Sequence, residues 1–177
     1  MRKLAQENAF PGQETSSARS FQIFQAASIK DSAWVAPLRG ILLENYKRVH
    51  NAIAEGDKKT LTSLTMQEYA KSASRRLRKL HPAGSSATYK WRLVSQPSPV
   101  RVVSIRAVEG YFSLQPIRVG NPLYVNVLAR FETIQSLTSR GVASTVEPKR
   151  IVEYLLFEKR MWYDTPWVIK EQLYMDR

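Results

Sequence analysis

The stretch EPKRIVEYLLFEKRMWYDTPWVIKEQLY, residues 147–174, decides the fold. Ile151, Leu155, Phe157 and Met161 share one parity, and Val152, Tyr154, Leu156 and Trp162 share the other. Successive side chains of a strand point to opposite faces, so this run is apolar on both, with Glu153, Glu158, Lys159 and Arg160 mixed in near the ends. The pattern predicts a central strand covered on both sides. A single amphipathic helix through 150–162 fails, because apolar residues would fall on every side of it. Tyr163-Asp164-Thr165-Pro166 punctuates the chain, and a second run follows with Trp167, Ile169 and Leu173 on one face and Lys170 and Gln172 on the other. Two runs joined by so short a link predict an antiparallel hairpin.

Upstream of this hairpin the period stays at two. Leu123, Val125, Val127, Ala129 and Phe131 alternate with Asn126, Arg130 and Glu132, while the polar stretch from Gln135 to Thr145 reads as a turn or ragged strand end. Val100 to Ala107 is another strand, with Val103 and Ile105 facing one way, and Tyr111 to Ile117 is a candidate continuation. Tyr89, Trp91 and Leu93 alternate with Lys90, Arg92 and Val94 in a run that Pro97 and Pro99 break.

Before residue 87 the spacing is helical. Leu38, Ile41, Leu42, Tyr46, Val49 and Ile53 recur at three and four, which predicts a helix over 38–54 with Arg39, Glu44, Lys47 and Arg48 outward. Pro37 suits its first turn and Gly56 its C-terminal cap. Asp57 is placed to cap a short helix through Leu64. Thr65 and Glu68 form a capping-box pattern opening a helix over 66–80, striped by Met66, Tyr69, Ala73, Leu77 and Leu80. Helices followed by strands in meander order define an α+β domain with an antiparallel sheet. It is assigned to residues 31–177; residues 1–30 read as an extended or disordered arm whose apolar cluster is Phe21, Ile23 and Phe24.

Composition narrows the function. The 177 residues carry 27 Lys plus Arg against 15 Asp plus Glu, a formal charge of +12, with 44% hydrophobic residues. That excess points to a polyanionic partner, nucleic acid or an anionic membrane surface. There is no cysteine, so thiolate and disulfide chemistry is excluded. No apolar run approaches the ~20 residues of a spanning helix. His50 and His81 lack a sequence-local partner, no glycine-rich phosphate loop occurs, and Glu153 and Glu158, five apart on one strand, face opposite sides. Glu158, Lys159 and Arg160 read as a solvated strand end. No enzyme, metal site or cofactor is expected.

The strongest local signal is basic. Lys71, Arg75, Arg76, Arg78 and Lys79 cluster in the second half of helix 66–80 without an acid among them, and Lys90 and Arg92 follow across the turn. The helix dipole accounts for one or two cations at a C-terminus, not five. Arginine forks suit phosphate oxygens, which predicts an RNA-backbone contact surface.

From Trp91 to Ile169 the chain resembles the Tim-forty-four-like domain family. The matching residues are Trp91, Pro99-Val100-Arg101-Val102-Val103, Val125, Val127, Arg130-Phe131-Glu132-Thr133 with Gln135, then Val152-Glu153-Tyr154-Leu155-Leu156-Phe157-Glu158-Lys159 and Trp167-Val168-Ile169. The match resembles most the branch found in mitochondrial large ribosomal subunits and in fungal membrane-associated mitoribosome receptors. The resemblance implies a cystatin-like, NTF-two-like cone of helices on a curved antiparallel sheet. It implies a non-enzymatic place near the polypeptide exit, contacts with ribosomal RNA and ribosomal proteins, and a location in the mitochondrial matrix, peripheral to the inner membrane and its insertase. A protein-import motor scaffold shares the fold and is the alternative. A cone-shaped small-molecule enzyme is a third, disfavoured by the lack of an Asp/His dyad in the sequence. Phe21, Ile23 and Phe24 are the expected membrane or partner contact.

Overall fold

The computed structural model describes residues 27–82, 88–110, 123–140, 147–161 and 165–176. Three helices precede five strands in these segments: α1 (Ala36–Glu55), α2 (Lys58–Leu64), α3 (Gln67–Leu80), β1 (Thr88–Ser95), β2 (Arg101–Glu109), β3 (Leu123–Arg140), β4 (Lys149–Arg160) and β5 (Val168–Asp176). The helices pack on one face of a curved antiparallel sheet, so the α+β expectation holds.

Local chemistry sets the helix ends. Pro37 opens α1, and Gly56 closes it at φ 78°, a left-handed conformation that favours glycine. Asp57 caps α2 by accepting from the Thr60 amide at 3.1 Å. The capping box expected at α3 does not form. The Thr65 hydroxyl donates instead to the Leu61 carbonyl at 2.6 Å, and Met66 stands at the N-cap without a side-chain cap. What fixes this junction is the sheet: the Met66 amide donates to the Ile169 carbonyl at 2.9 Å, and Thr65 forms a parallel bridge with Ile169. Arg39, expected outward, is buried, because the segment before α1 folds back over it. Its guanidinium donates to the carbonyls of Lys30 at 2.8 Å and Ser28 at 3.4 Å.

β3 and β4 are the inner strands, and β4 and β5 form the expected antiparallel hairpin pair. The sheet is not a simple meander. β1 and β2 both pair with β3 along the same edge, β1 with its second half and β2 with its first. β3 can serve both because it runs for 18 residues. The polar stretch from Gln135 to Arg140, expected as a turn or ragged end, is therefore regular strand. Pairing with β1 satisfies its backbone, and Gln135 is buried in the core.

The inner face holds the core. Val125, Val127, Ala129, Phe131, Leu155, Phe157 and Ile169 meet Leu38, Leu42, Tyr46, Val49, Tyr69, Ala73 and Leu77. α1 lies over β1 and α3 over β5. The Asn45 amide donates to the Trp167 carbonyl at 2.7 Å, locking α1 to the start of β5. Phe157 is 0% exposed and Trp167 3%, as the central-strand pattern predicts.

Three parity expectations are corrected. Among the described elements the helices cover one face of β4; on its other face Val152, Tyr154 and Leu156 are only half-buried. A bulge between Val102 and Ser104 turns Val102 into the core and leaves Val103 exposed. Two irregularities in the β4–β5 ladder place Gln172, not Leu173, on the inner face beside Ile169.

Candidate functional site

The stripe Tyr69, Ala73, Leu77 buries one side of α3 and sets the outward side. Lys71, Arg75, Arg78 and Lys79 are exposed there, at spacings of three and four. Lys71, Ser74, Arg75 and Arg78, with Ala70, line a shallow concavity of about 390 Å³. Among the described residues, Lys71 alone of these cations forms an ion pair, with Glu68 at 2.6 Å; that contact, chiefly its hydrogen bond, holds the Glu68 carboxyl below its ordinary range. Arg78 reaches back to the Ser74 carbonyl at 3.4 Å.

Arg76 does not belong to this surface. It turns toward the sheet, donating to Gln172 Oε1 at 2.8 Å, with its guanidinium carbon 5.9 Å from the Tyr69 ring centroid. Lys90 and Arg92 are exposed, but on the face of β1 opposite Trp91, which packs against α1. The structure therefore divides the expected RNA-binding set three ways: Lys71, Arg75, Arg78 and Lys79 outside α3, Lys90 and Arg92 on the far side of the sheet, and Arg76 half-buried against β5. Phe21, Ile23 and Phe24 lie outside the described residues.

Beneath Arg76 lies a buried polar network that sequence spacing did not reveal. Glu153 is 1% exposed, on the inner face of β4. The Tyr46 hydroxyl donates to its Oε1, and Gln172 Nε2 donates to its Oε2 at 3.0 Å. Gln135 Nε2 donates to the Tyr46 oxygen and to Thr133 Oγ1, and the Trp91 indole donates to Gln135 Oε1 at 2.8 Å. His50 Nε2 lies 3.9 Å from Glu153 Oε1, and its ring stacks on Trp91 at 5.1 Å and meets Tyr46 at 4.4 Å. Burial pushes the Glu153 carboxyl up, although the Tyr46 hydrogen bond acts against it. Burial first, and Arg76 second, drives His50 down to about 3. Tyr46 and Tyr69 are both raised, chiefly by burial. The pairing of Tyr46 with Glu153 spans 107 positions, so only the tertiary fold brings them together.

A glutamate, a histidine and a tyrosine in contact are acid–base groups by type. His50 Nε2 stands 3.9 Å from Glu153 without a hydrogen bond to it, so the two are close but not a hydrogen-bonded dyad. The cluster is enclosed by Phe131, which stacks on Tyr46 at 4.6 Å, and by Trp91. Neither described concavity touches it: one is the α3 surface, and the other, about 440 Å³, is lined by Glu55, Thr88, Tyr89, Lys90, Thr138 and Ser139. The cluster ties α1 to β1, β3 and β4 through neutral donors, and the Arg76 guanidinium of α3 joins it through Gln172 of β5. Among the described residues no three of His, Asp and Glu converge as a metal-ligand set.

The outer face handles buried carboxylates differently. Glu132 pairs with Arg150 and with Arg130 at 3.0 Å, and the Arg150 hydrogen bond above all holds its carboxyl below the ordinary range. Glu158, expected to be solvated, is 3% exposed and pairs with Lys170 at 2.7 Å.

No family model matches the chain, and no curated protein does. Among solved structures it is similar to the intermembrane space region of the chloroplast protein ARC6. The identity is 13% and the TM-score 0.46, over 77% of this chain and 92% of that one. Among the described residues no helix is long and apolar enough to cross a membrane.

Proposed function

We propose that this chain is a non-enzymatic, RNA-binding component of the mitochondrial large ribosomal subunit. It lies near the polypeptide exit, in the matrix and peripheral to the inner membrane. The observation that carries the RNA contact is the outward face of α3, where Arg75, Arg78 and Lys79 stand exposed and, among the described residues, form no salt bridge. Cations so placed contribute little to the fold and are free for phosphate oxygens. The ribosomal and mitochondrial assignment rests on the residues that resemble the Tim-forty-four-like domain. The Glu153–His50 cluster lies in the helix–sheet core, where its hydrogen bonds join α1 to the sheet.

Co-sedimentation tests this. The protein should travel with mitochondrial large subunits at modest salt. Replacing Arg75, Arg78 and Lys79 by glutamine should release it at lower salt, with the salt slope shallower by about one unit per lost phosphate contact. An unchanged release profile would remove α3 as the contact. No co-sedimentation at all would favour the import-motor scaffold. Peripheral attachment is checked separately: alkaline carbonate should strip the protein from membranes.

A further inference from the structure

The outer face of the sheet carries a second set of groups that the α3 surface does not use. β2 pairs Arg101 with Arg130 of β3, β3 pairs Arg130 with Tyr154 of β4, and β4 pairs Tyr154 with Tyr174 of β5. Arg101, Arg130, Tyr154 and Tyr174 therefore form one row across four adjacent strands, about 14 Å from end to end at ordinary strand spacing. The row faces away from the helices, since the neighbouring residues Ala129 and Leu155 point into the core.

Folding alone gives no reason for this row. Two arginines directly opposite each other across a ladder are destabilising. Arg130 is relieved by Glu132 at 3.0 Å; Arg101 is exposed and forms no ion pair among the described residues. Tyr174 is 65% exposed at the β5 edge, its ring 5.9 Å from that of Tyr154 and nearly perpendicular to it. Farther along the same face Arg106 and Arg150 are exposed, Arg150 in its pair with Glu132.

We infer that this face is a platform for single-stranded RNA laid across the strands, with phosphates on Arg101 and Arg130 and an unpaired base stacked on the Tyr174–Tyr154 pair. Aromatic side chains on an open sheet recognise unstacked bases through their π faces, and flanking arginines neutralise the backbone. An acidic protein segment would satisfy the arginines, but it supplies no flat π-system for the tyrosine pair. The inference rests on the RNA-binding reading above and adds a second, chemically distinct contact: α3 grips phosphate, whereas this row also grips a base.

The test uses the full chain and three labelled probes: a ten-nucleotide unstructured RNA, a duplex of the same length, and a glutamate-rich peptide. Tyr174→Ala should weaken binding of the single strand about ten-fold while leaving its salt slope unchanged, and should leave the duplex untouched. Tyr174→Phe should restore the single-strand affinity. Arg101→Gln should weaken it too, but with a slope shallower by about 0.7, the value for one single-strand phosphate. A 4-thiouridine in the single strand should cross-link to the peptides holding Tyr154 or Tyr174. The α3 triple variant separates the two claims. If Tyr174→Ala binds the single strand like the parent while the α3 variant is weakened, the platform is overturned and the α3 contact stands. If the parent binds neither RNA, both are overturned. Preference for the glutamate-rich peptide, lost in Tyr174→Ala, would make the face a protein dock and overturn the platform.

Discussion

Glu153 and Glu158 sit five residues apart on β4, both almost wholly buried, and the fold treats them in opposite ways. On the inner face Glu153 is held by a phenol and an amide, and the nearest cation, Arg76, reaches it only through Gln172. On the outer face Glu158 is held by the ammonium of Lys170, and farther along the same face Glu132 is held by two guanidiniums. The reason is access to water. A cation brought to the middle of the helix–sheet interface would be desolvated together with its carboxylate, and that loss can exceed the attraction gained. Neutral donors satisfy the same lone pairs at lower cost. Near the outer surface Lys170 and Arg150 keep part of their side chains in solvent, so ion pairing is cheap there. One strand thus carries a hydrogen-bonded interior and an ion-paired exterior.

The largest effect expected on either face comes from the apolar frame around the inner network. Phe157→Ala should destabilise by about 3–5 kcal/mol, read as a lower denaturation midpoint. An unmoved midpoint would dissolve the inner–outer distinction, because Phe157 would not be core.

Next comes the network itself. Tyr46→Phe removes the donor to Glu153 and the acceptor for Gln135 while keeping the ring that stacks on Phe131. It should cost about 1–3 kcal/mol, as stranded buried polar groups do. If Tyr46→Phe is neutral, the contacts of Glu153 are incidental and the contrast with Glu158 fails.

The two faces should also separate by pH. His50 stays neutral in the folded chain down to about 3, whereas the unfolded chain takes up a proton near 6.5. Stability from this group is present above 6.5 and falls as pH drops toward 3. By pH 5 the loss should be about 2 kcal/mol. Glu153 works with the opposite sign: its raised carboxyl favours the fold in the protonated form, so its contribution fades as pH rises past the ordinary value of 4.5. In a Glu153→Gln background, His50→Gln should flatten the remaining acid sensitivity, seen as a melting temperature that no longer falls between neutral pH and pH 5. A persistent slope would move the proton uptake to another group.

The smallest effect belongs to the outer face. Lys170→Met leaves Glu158, among the described residues, with Arg160 at 3.9 Å, and should cost about 1–2 kcal/mol, because a charge-assisted bond is lost near solvent. Added salt should shrink that difference and leave the Tyr46→Phe difference unchanged. Equal salt responses would show that both faces are held by the same kind of force.

The sequence carried the fold further than it carried the site. Helical stripes and two-residue alternation are local signals, and the helices, the β4–β5 pair and the burial of Phe157 and Trp167 all follow from them. Bulges are not local in that sense. The ladder irregularities at Val102/Ser104 and in β5 depend on the neighbouring strand, so simple alternation puts Val103 and Leu173 on the wrong face. The second half of β3 was hidden for a related reason: Gln135 looks like a loop residue until Tyr46 and Trp91 are beside it. Glu153 and His50 gave no signal because they meet only when α1 lies on β4. Of the basic cluster, spacing identified the outward arginines of α3, but it could not show that Arg76 leans against β5 to meet Gln172.

The length of β3 has a consequence for the order of assembly. β1 and β2 have no partner in each other; both wait for β3. The helices wait longer still, since α1 and the α2–α3 junction are fastened to Trp167 and Ile169 at the start of β5. As the chain is made from its N-terminus, the helices can form only as marginal, unanchored segments, and the basic face of α3 is exposed before the sheet exists to orient it. Closure then demands contacts between the two ends of the domain, a topology that folds slowly and late. The nascent protein therefore passes through an interval in which its charge can already meet a polyanion while its shape cannot yet choose one.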